Sequence, residues 1–265
     1  MKHSGNLGKM KTANAESVQY DLVLQDGTIR MNDLLGKKIK LSFTGQINCR
    51  ICQKGIKKVF GQGMCYTCFV GSPQNSDCVL RPELCKGHLG EGRSVDWEKA
   101  NHVQPHVVYL ALTSGVKVGV TREANIPHRW IDQGAWKVIR FCEVPYRRLA
   151  GDIEVFMKEF VTDKTHWQNM LKDVRMDDVD LVEEKESLLD ELKEEFGQYY
   201  SKNNEIVEFK YPVLEYPTKV TSLSFDKTPV IQGKLAGIRG QYLILEGGKV
   251  VNVRRFSGYG IDFEA

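Results

Sequence analysis

No stretch of the sequence approaches the roughly 18 consecutive apolar residues that a bilayer-spanning helix needs, which argues against a helical membrane protein. The N-terminus, MKHSGNLGKMKTANAES, is basic and polar and lacks the apolar core of a secretory signal. A cytoplasmic location is expected on that ground. Acidic residues are missing between Lys37 and Cys68, a window that holds seven Lys/Arg. Internal repeats and low-complexity tracts are absent as well. The cysteine count of seven is odd, and without an export signal it favours metal ligation over disulfides.

What is present is ordinary for a soluble globular chain: 265 residues, 42% hydrophobic and 27% charged. That length allows one large domain or two to three small ones. The net charge of +3 conceals an uneven distribution. From Asp173 to Glu195 eleven acidic residues face three basic ones, and from Phe209 to Gly258 eight basic residues face three acidic. Two basic blocks thus flank an acidic one. Basic blocks attract polyanions such as nucleic acid, although the same runs also serve as solvated faces.

The pattern divides the chain into five parts and predicts an α+β protein. Residues 1–17 are expected to be disordered. Residues 18–105 begin with two strands, Val18 to Leu24 and Ile39 to Phe43, and continue into a Gly-, Cys- and Lys-rich stretch. That stretch has too little apolar surface to fold without a staple. Residues 106–175 alternate strands and helices. One helix opens after Asn125 with Pro127 in its first turn. A second, from Arg147 to Thr162, carries Ile153, Phe156, Met157 and Phe160 on one stripe, and Thr165 to Val174 continues in helix. Residues 176–208 form an acidic helix, helical from 179 to 200, packed through Val182, Leu189, Leu192, Phe196 and Tyr199 and solvated elsewhere. Residues 209–265 are strand-rich and read as a small β-barrel or open β-sheet. Gly247-Gly248 there signals a two-residue hairpin turn.

Cys49-x2-Cys52 and Cys65-x2-Cys68, twelve residues apart, form the strongest local motif. Each CxxC turn aims two thiolates at one ion, and two turns complete a tetrahedral zinc site. Four protein ligands leave no open position, so this zinc is structural and the module is a ribbon or knuckle. Cys78, Cys85 and His88 suggest a second zinc, its fourth ligand supplied from a distance by His102 or His106; the alternative is that these cysteines are free thiols buried in the core. Cys142, on a predicted strand, is expected in the core.

Tyr109 lies on the first strand of the central segment, Lys117-Val118-Gly119 on the next, Arg129 on the following helix and Glu154 on the one after. VYL, KVGVT, a helix-borne Arg and then a Glu resemble a GIY-YIG nuclease domain, with KVG standing where YIG is expected. The resemblance covers roughly residues 106–172. It implies that Tyr109 helps activate a water, that Arg129 stabilises charge on the phosphorus centre, and that Glu154 holds Mg²⁺ or Mn²⁺. Lys117 replaces a tyrosine that contributes to this chemistry, and takes the role of a phosphate-contacting cation or a proton acceptor. Each residue also has a plain structural reading. Tyr109 fits a core tyrosine with its hydroxyl satisfied, Arg129 an ion-pair partner of Asp132 or Glu154, and Glu154 a helix-flank charge. Gly119 is expected to allow close approach of strand and helix. Trp130 and Trp167 are expected in the core, Asp132, Gln133 and Asn169 are candidates for a cleft, and Asp163 for a helix cap.

The wider chain, through TGQINCRICQKGIKKVFGQGMCYTC, PELC, HVVYLA, KVGVTR, RWIDQGA, GDIEV and DKTHWQNML, resembles a bacterial family classed as a domain of unknown function. The leading expectation is a zinc protein that interacts with DNA or RNA; an enzymatic activity, where it has one, is Mg²⁺-dependent phosphodiester cleavage. Its rivals are a catalytically inactive DNA- or RNA-binding protein and a protein-interaction scaffold that uses the acidic helix.

Overall fold

A computed structural model describes all of residues 1–265. The chain begins in strand, at β1 (Lys2–Asn6) and β2 (Lys11–Ala13), which corrects the disorder expected for residues 1–17. Leu7 and Met10 between them are buried, and β1 pairs along its whole length with the last strand of the chain. That partner lies too far away in sequence to leave a local signal. β3 (Gln19–Leu24) follows the expected period of two, with Tyr20, Leu22 and Leu24 inward, and forms a hairpin with β4 (Gly27–Arg30). β5 (Lys38–Ile47) then leads into the cysteine-rich stretch.

That stretch contains little regular structure. α1 (Tyr66–Gly71) is capped by the Cys65 sulfur, which accepts from Cys68 N–H. Single 3-10 turns follow, before α2 (Val95–His102). The central segment starts with β6 (His106–Leu112) and β7 (Val116–Arg122), passes through α3 (His128–Asp132), and returns as β8 (Lys137–Val144) and α4 (Arg147–Met157). α4 ends sooner than its apolar stripe suggests. The chain beyond it runs extended beside β7, where Val118 N–H donates to Thr162 O at 2.8 Å. α5 (Trp167–Leu171) is correspondingly short.

The helix expected over 179–200 breaks into α6 (Leu181–Glu191) and α7 (Glu194–Gly197). Asp180 caps α6 by accepting from the Val182 and Glu183 N–H groups. Lys185, expected on a solvated face, is fully buried. Its ammonium donates to Ser201 O, Asn203 O and Asn204 Oδ1 at 2.6–2.9 Å. The break at Leu192–Lys193 lets the chain turn back and supply those oxygens.

The remaining strands are β9 (Val207–Glu208), β10 (Thr221–Ser222), β11 (Val230–Arg239), β12 (Tyr242–Leu245), β13 (Lys249–Asn252) and β14 (Tyr259–Glu264). The β12–β13 connection is three residues, Glu246 to Gly248, and not the expected two, with Gly247 and Gly248 at φ of +74° and +72°. Three sheets result, ordered β1-β14-β5-β11-β12-β13-β10, β2-β3-β4 and β7-β6-β8-β9. β5 pairs with both β14 and β11, so segments 18–105 and 209–265 share a sheet and are not separate domains.

β6 is buried on both faces and divides the interior. Val107, Tyr109 and Ala111 face the core shared with the large sheet, while Val108, Leu110 and Leu112 face the core formed with α4 and α6. No helix is long and apolar enough to cross a membrane.

Candidate functional site

The sulfurs of Cys49, Cys52, Cys65 and Cys68 all lie within 4.8 Å of one another. Cys52 Sγ and Cys65 Sγ are 3.9 Å apart, close to the ~3.8 Å edge of a tetrahedron with Zn–S bonds of about 2.3 Å. Burial raises the Cys49 thiol, but backbone N–H groups of Cys52, Cys65 and Ile51 outweigh it and bring it down to about 6. Crowding by the other sulfurs, Cys65 first, raises Cys68 to about 12. A dication lets such thiolates ionise together, and an all-sulfur tetrahedron suits structural zinc.

Beside this cluster opens a cleft of about 1150 Å³. Its walls come from the zinc module, the 3-10 turns, β7, α3, α4 and the turn before β14. Lys117, Arg129 and Glu154 all line it, so three of the four residues proposed for catalysis meet in one place. Tyr109 does not line it. The tyrosine is fully buried against Trp130, ring centroids 5.8 Å apart, and its hydroxyl donates to Gln133 Oε1 at 2.9 Å. Burial raises its pKa against the pull of Arg129. Gln133 reaches the cleft as expected.

The role expected for Gly119 changes. It sits opposite Tyr109 in the β6–β7 register, and a Cβ there would lie 2.7 Å from the Tyr109 hydroxyl. The glycine makes room for the tyrosine, not for a helix. Gly119→Ala is expected to cost about 2–4 kcal/mol in urea unfolding, from overpacking and a strained Tyr109–Gln133 bond. A loss below about 1 kcal/mol would mean that the tyrosine moves freely, against the packing seen.

Lys117 is 4% exposed, and its ammonium donates to Thr165 Oγ1 at 3.3 Å. Burial first, and then Arg129, lower it to about 8. Burial raises the Glu154 carboxyl against the pull of Lys158, whose Nζ is 3.8 Å away. Arg129 pairs with neither Asp132 nor Glu154. Asp132 lines the cleft as expected, and its carboxylate is bound by Lys9 and by Gln241 Nε2, which braces the N-terminus against β11–β12. Asp163 pairs with Lys158 at 3.1 Å and caps no helix. Asn169 lies outside the cleft lining, and Trp167 stacks on Tyr242.

Eight Lys/Arg and four Asp/Glu line the cleft, and of the eight only Lys9 and Lys158 are ion-paired. Arg50 of the zinc module, Arg129 of α3 and Arg254 before β14 converge. Burial and the guanidiniums of Arg129 and Arg50 push Arg254 down, opposed by Asp132. Arg254 is held by two bonds to Gln62 Oε1, at 3.1 and 2.9 Å. Arg50 and Arg254 sit in the two basic blocks of the sequence, but no local pattern brings them together.

The second cysteine cluster differs from expectation. His88 is not part of it: its ring stacks on Tyr146 at 4.7 Å. His106 is buried elsewhere, with Nδ1 2.7 Å from Gln104 O. The groups that gather are Cys78, Cys85, Glu98 and His102. Glu98 went unnoticed in the sequence, although Glu98 and His102 have the i,i+4 spacing that places two side chains on one helix face.

These features define a mixed α+β protein with a zinc-compatible four-cysteine cluster beside a cationic cleft. Over residues 36–261 the sequence matches the family described as "Protein of unknown function (DUF2797)", and the chain belongs to that family. No curated protein and no solved structure matches it.

Proposed function

We propose that the protein is a zinc-containing nucleic-acid-binding protein that grips a phosphodiester backbone in this cleft. The observation that carries the reading is the set of six unpaired cations facing one space, Arg50, Arg129 and Arg254 among them. Like charges held together repel, and anionic phosphates relieve the repulsion. Phosphate contacts supply affinity without reading sequence.

Phosphodiester hydrolysis is the second reading, favoured by the meeting of Lys117, Arg129 and Glu154 and by the GIY-YIG resemblance. Tyr109 takes no part in this reading, because its hydroxyl is buried and engaged by Gln133. The two carboxylates there, Glu154 and Asp163, both pair with the Lys158 ammonium, so they do not fit a resident Mg²⁺ or Mn²⁺ ion unless that ammonium is displaced. What remains is a guanidinium for developing charge and an amine that exchanges its proton near pH 8.

One experiment serves both readings. Labelled DNA and RNA are titrated with protein at several salt concentrations, with and without Mg²⁺ or Mn²⁺. Log affinity is expected to fall against log salt with a slope of about −0.9 per phosphate contacted on duplex DNA, and Arg129→Ala to reduce that slope by about 1. Affinity indifferent to salt would sink the backbone-gripping reading. Cleavage abolished by Lys117→Met would establish the hydrolytic one, whereas cleavage that survives it would assign the activity elsewhere. Failure of both binding and cleavage would favour a protein-interaction role through acidic α6.

A further inference from the structure

We propose that Cys78, Cys85, Glu98 and His102 hold a second structural zinc ion, which fastens segment 72–105 against α4 and so builds one wall of the cleft. Ligand atoms of all four residues lie within 4.8 Å of one another, and all four residues are buried. His102 Nδ1 is 3.4 Å from Cys85 Sγ and 3.8 Å from Cys78 Sγ. A tetrahedral zinc places nitrogen and sulfur ligands about 3.6 Å apart. Glu98 and His102 approach each other more closely than that, and the pair opens to admit the ion.

Two further observations point to a ligand. Glu98, a residue 2% exposed, turns its Oε2 to His102 Nδ1 and accepts from Ser76 Oγ at its other oxygen, at 3.1 Å. A buried carboxylate gathered with two thiols and an imidazole is costly unless a cation joins them. The Ser76 bond is the kind of outer contact that orients a ligating carboxylate. The second observation is what the segment buries. Between residues 72 and 105 only Cys78, Pro82, Cys85, Gly87, Glu98 and His102 are buried. Four of these six are the proposed ligands. The segment has no apolar core of its own, so its order needs another source, and a metal supplies it.

The chemistry fits zinc. Two thiolates, an imidazole and a carboxylate form a mixed set that a borderline-soft dication accepts, and four protein ligands close the site. The assembled centre carries one net negative charge. Arg147 lies beside it, donating from Nε to Cys78 O at 2.9 Å and from Nη2 to Val79 O at 3.0 Å. The turn between the two cysteines docks on α4 at Gly151, where a Cβ would come within 2.2 Å of Glu83 N. From α2, Asn101 accepts from Arg122 at the cleft edge. His102 itself lines the cleft, so the metal fixes that wall from behind.

Metal content tests this independently of nucleic-acid binding. Full-length protein purified without chelator is analysed for zinc per chain, and its zinc is examined by X-ray absorption. The expected result is two zinc per chain with an average of about three sulfurs each, one site having four and the other two. Cys78→Ser/Cys85→Ser is expected to retain one zinc with about four sulfurs. Glu98→Gln, which keeps size and shape, is expected to weaken the second zinc about tenfold or more in a chelator competition. One zinc per chain with four sulfurs in the unmodified protein would overturn the proposal. So would a Cys78–Cys85 disulfide found by intact mass, or a zinc affinity unchanged by Glu98→Gln. These readouts hold even where the double-serine variant fails to fold.

Discussion

Serine at both Cys65 and Cys68 is expected to remove one zinc, unfold residues 48–72 and weaken polyanion binding together. Within that span the buried residues are Cys49, Gly63 and Met64, far too few for a core. A module so poor in apolar contacts needs another source of folding free energy; the four-cysteine cluster suits structural zinc, which in small modules contributes on the order of 10 kcal/mol. The effect should stay local, because the two large cores lie elsewhere, around β6 and the sheets. Hydrogen exchange should show rapid exchange confined to 48–72 and little change in β6, β8 or β11. The cleft would then lose Arg50 and Phe69, and Arg254 would lose its Gln62 anchor. Affinity for nucleic acid should fall at least about tenfold, since each charged contact contributes about 1.5–3 kcal/mol. Unchanged protection in 48–72 after zinc removal would show that the module folds without its ion.

The parts of this molecule legible in sequence are those whose chemistry is local. A zinc ion demands ligands in pairs on tight turns, so CxxC twice over announces itself. Tyr20, Leu22 and Leu24 mark a strand because alternation is written within six residues. Non-local pairing leaves no such trace. β1 looks like a polar tail until β14 supplies its hydrogen bonds. The sequence names His88 as a ligand, with His102 or His106 as a distant fourth. The choice rests on His88 stacking on Tyr146 while α2 turns His102 toward the cysteines. Lys185 reads as one more charge on an acidic helix, yet it is buried and bound by three oxygens contributed by the chain beyond the helix break. The cleft was the least legible part. Lys117 and Arg129 could be named from the GIY-YIG resemblance, but Arg50 and Arg254 join them only once β5 and β14 pair.

Lys117→Met is expected to make the protein more stable and a weaker binder. A lysine lowered from its usual 10.5 to about 8 carries a charge that the folded state disfavours relative to water. The difference corresponds to about 3 kcal/mol at most, and the lost bond to Thr165 offsets roughly 1 kcal/mol of it. Below pH 8 both folded and unfolded chains hold the proton, so the folded protein bears the full cost. As pH rises from 8 towards 10.5 the folded state releases its proton first. The unfolded state then binds more protons, and stability from this group rises with pH. The advantage of Lys117→Met in urea unfolding should therefore be largest near pH 7, at about 1–3 kcal/mol, and vanish above about pH 10.5. Binding should change in the opposite direction. A cation facing phosphates contributes about 1.5 kcal/mol or more, so the variant should bind nucleic acid about tenfold more weakly at pH 7. In the unmodified protein the same contact should fade as pH climbs past 8, and the variant should lack that step. A stability gain without a binding loss would make Lys117 a buried charge with no part in the cleft. Together the two would mark it as a residue held against the preference of the fold because an anion completes its surroundings.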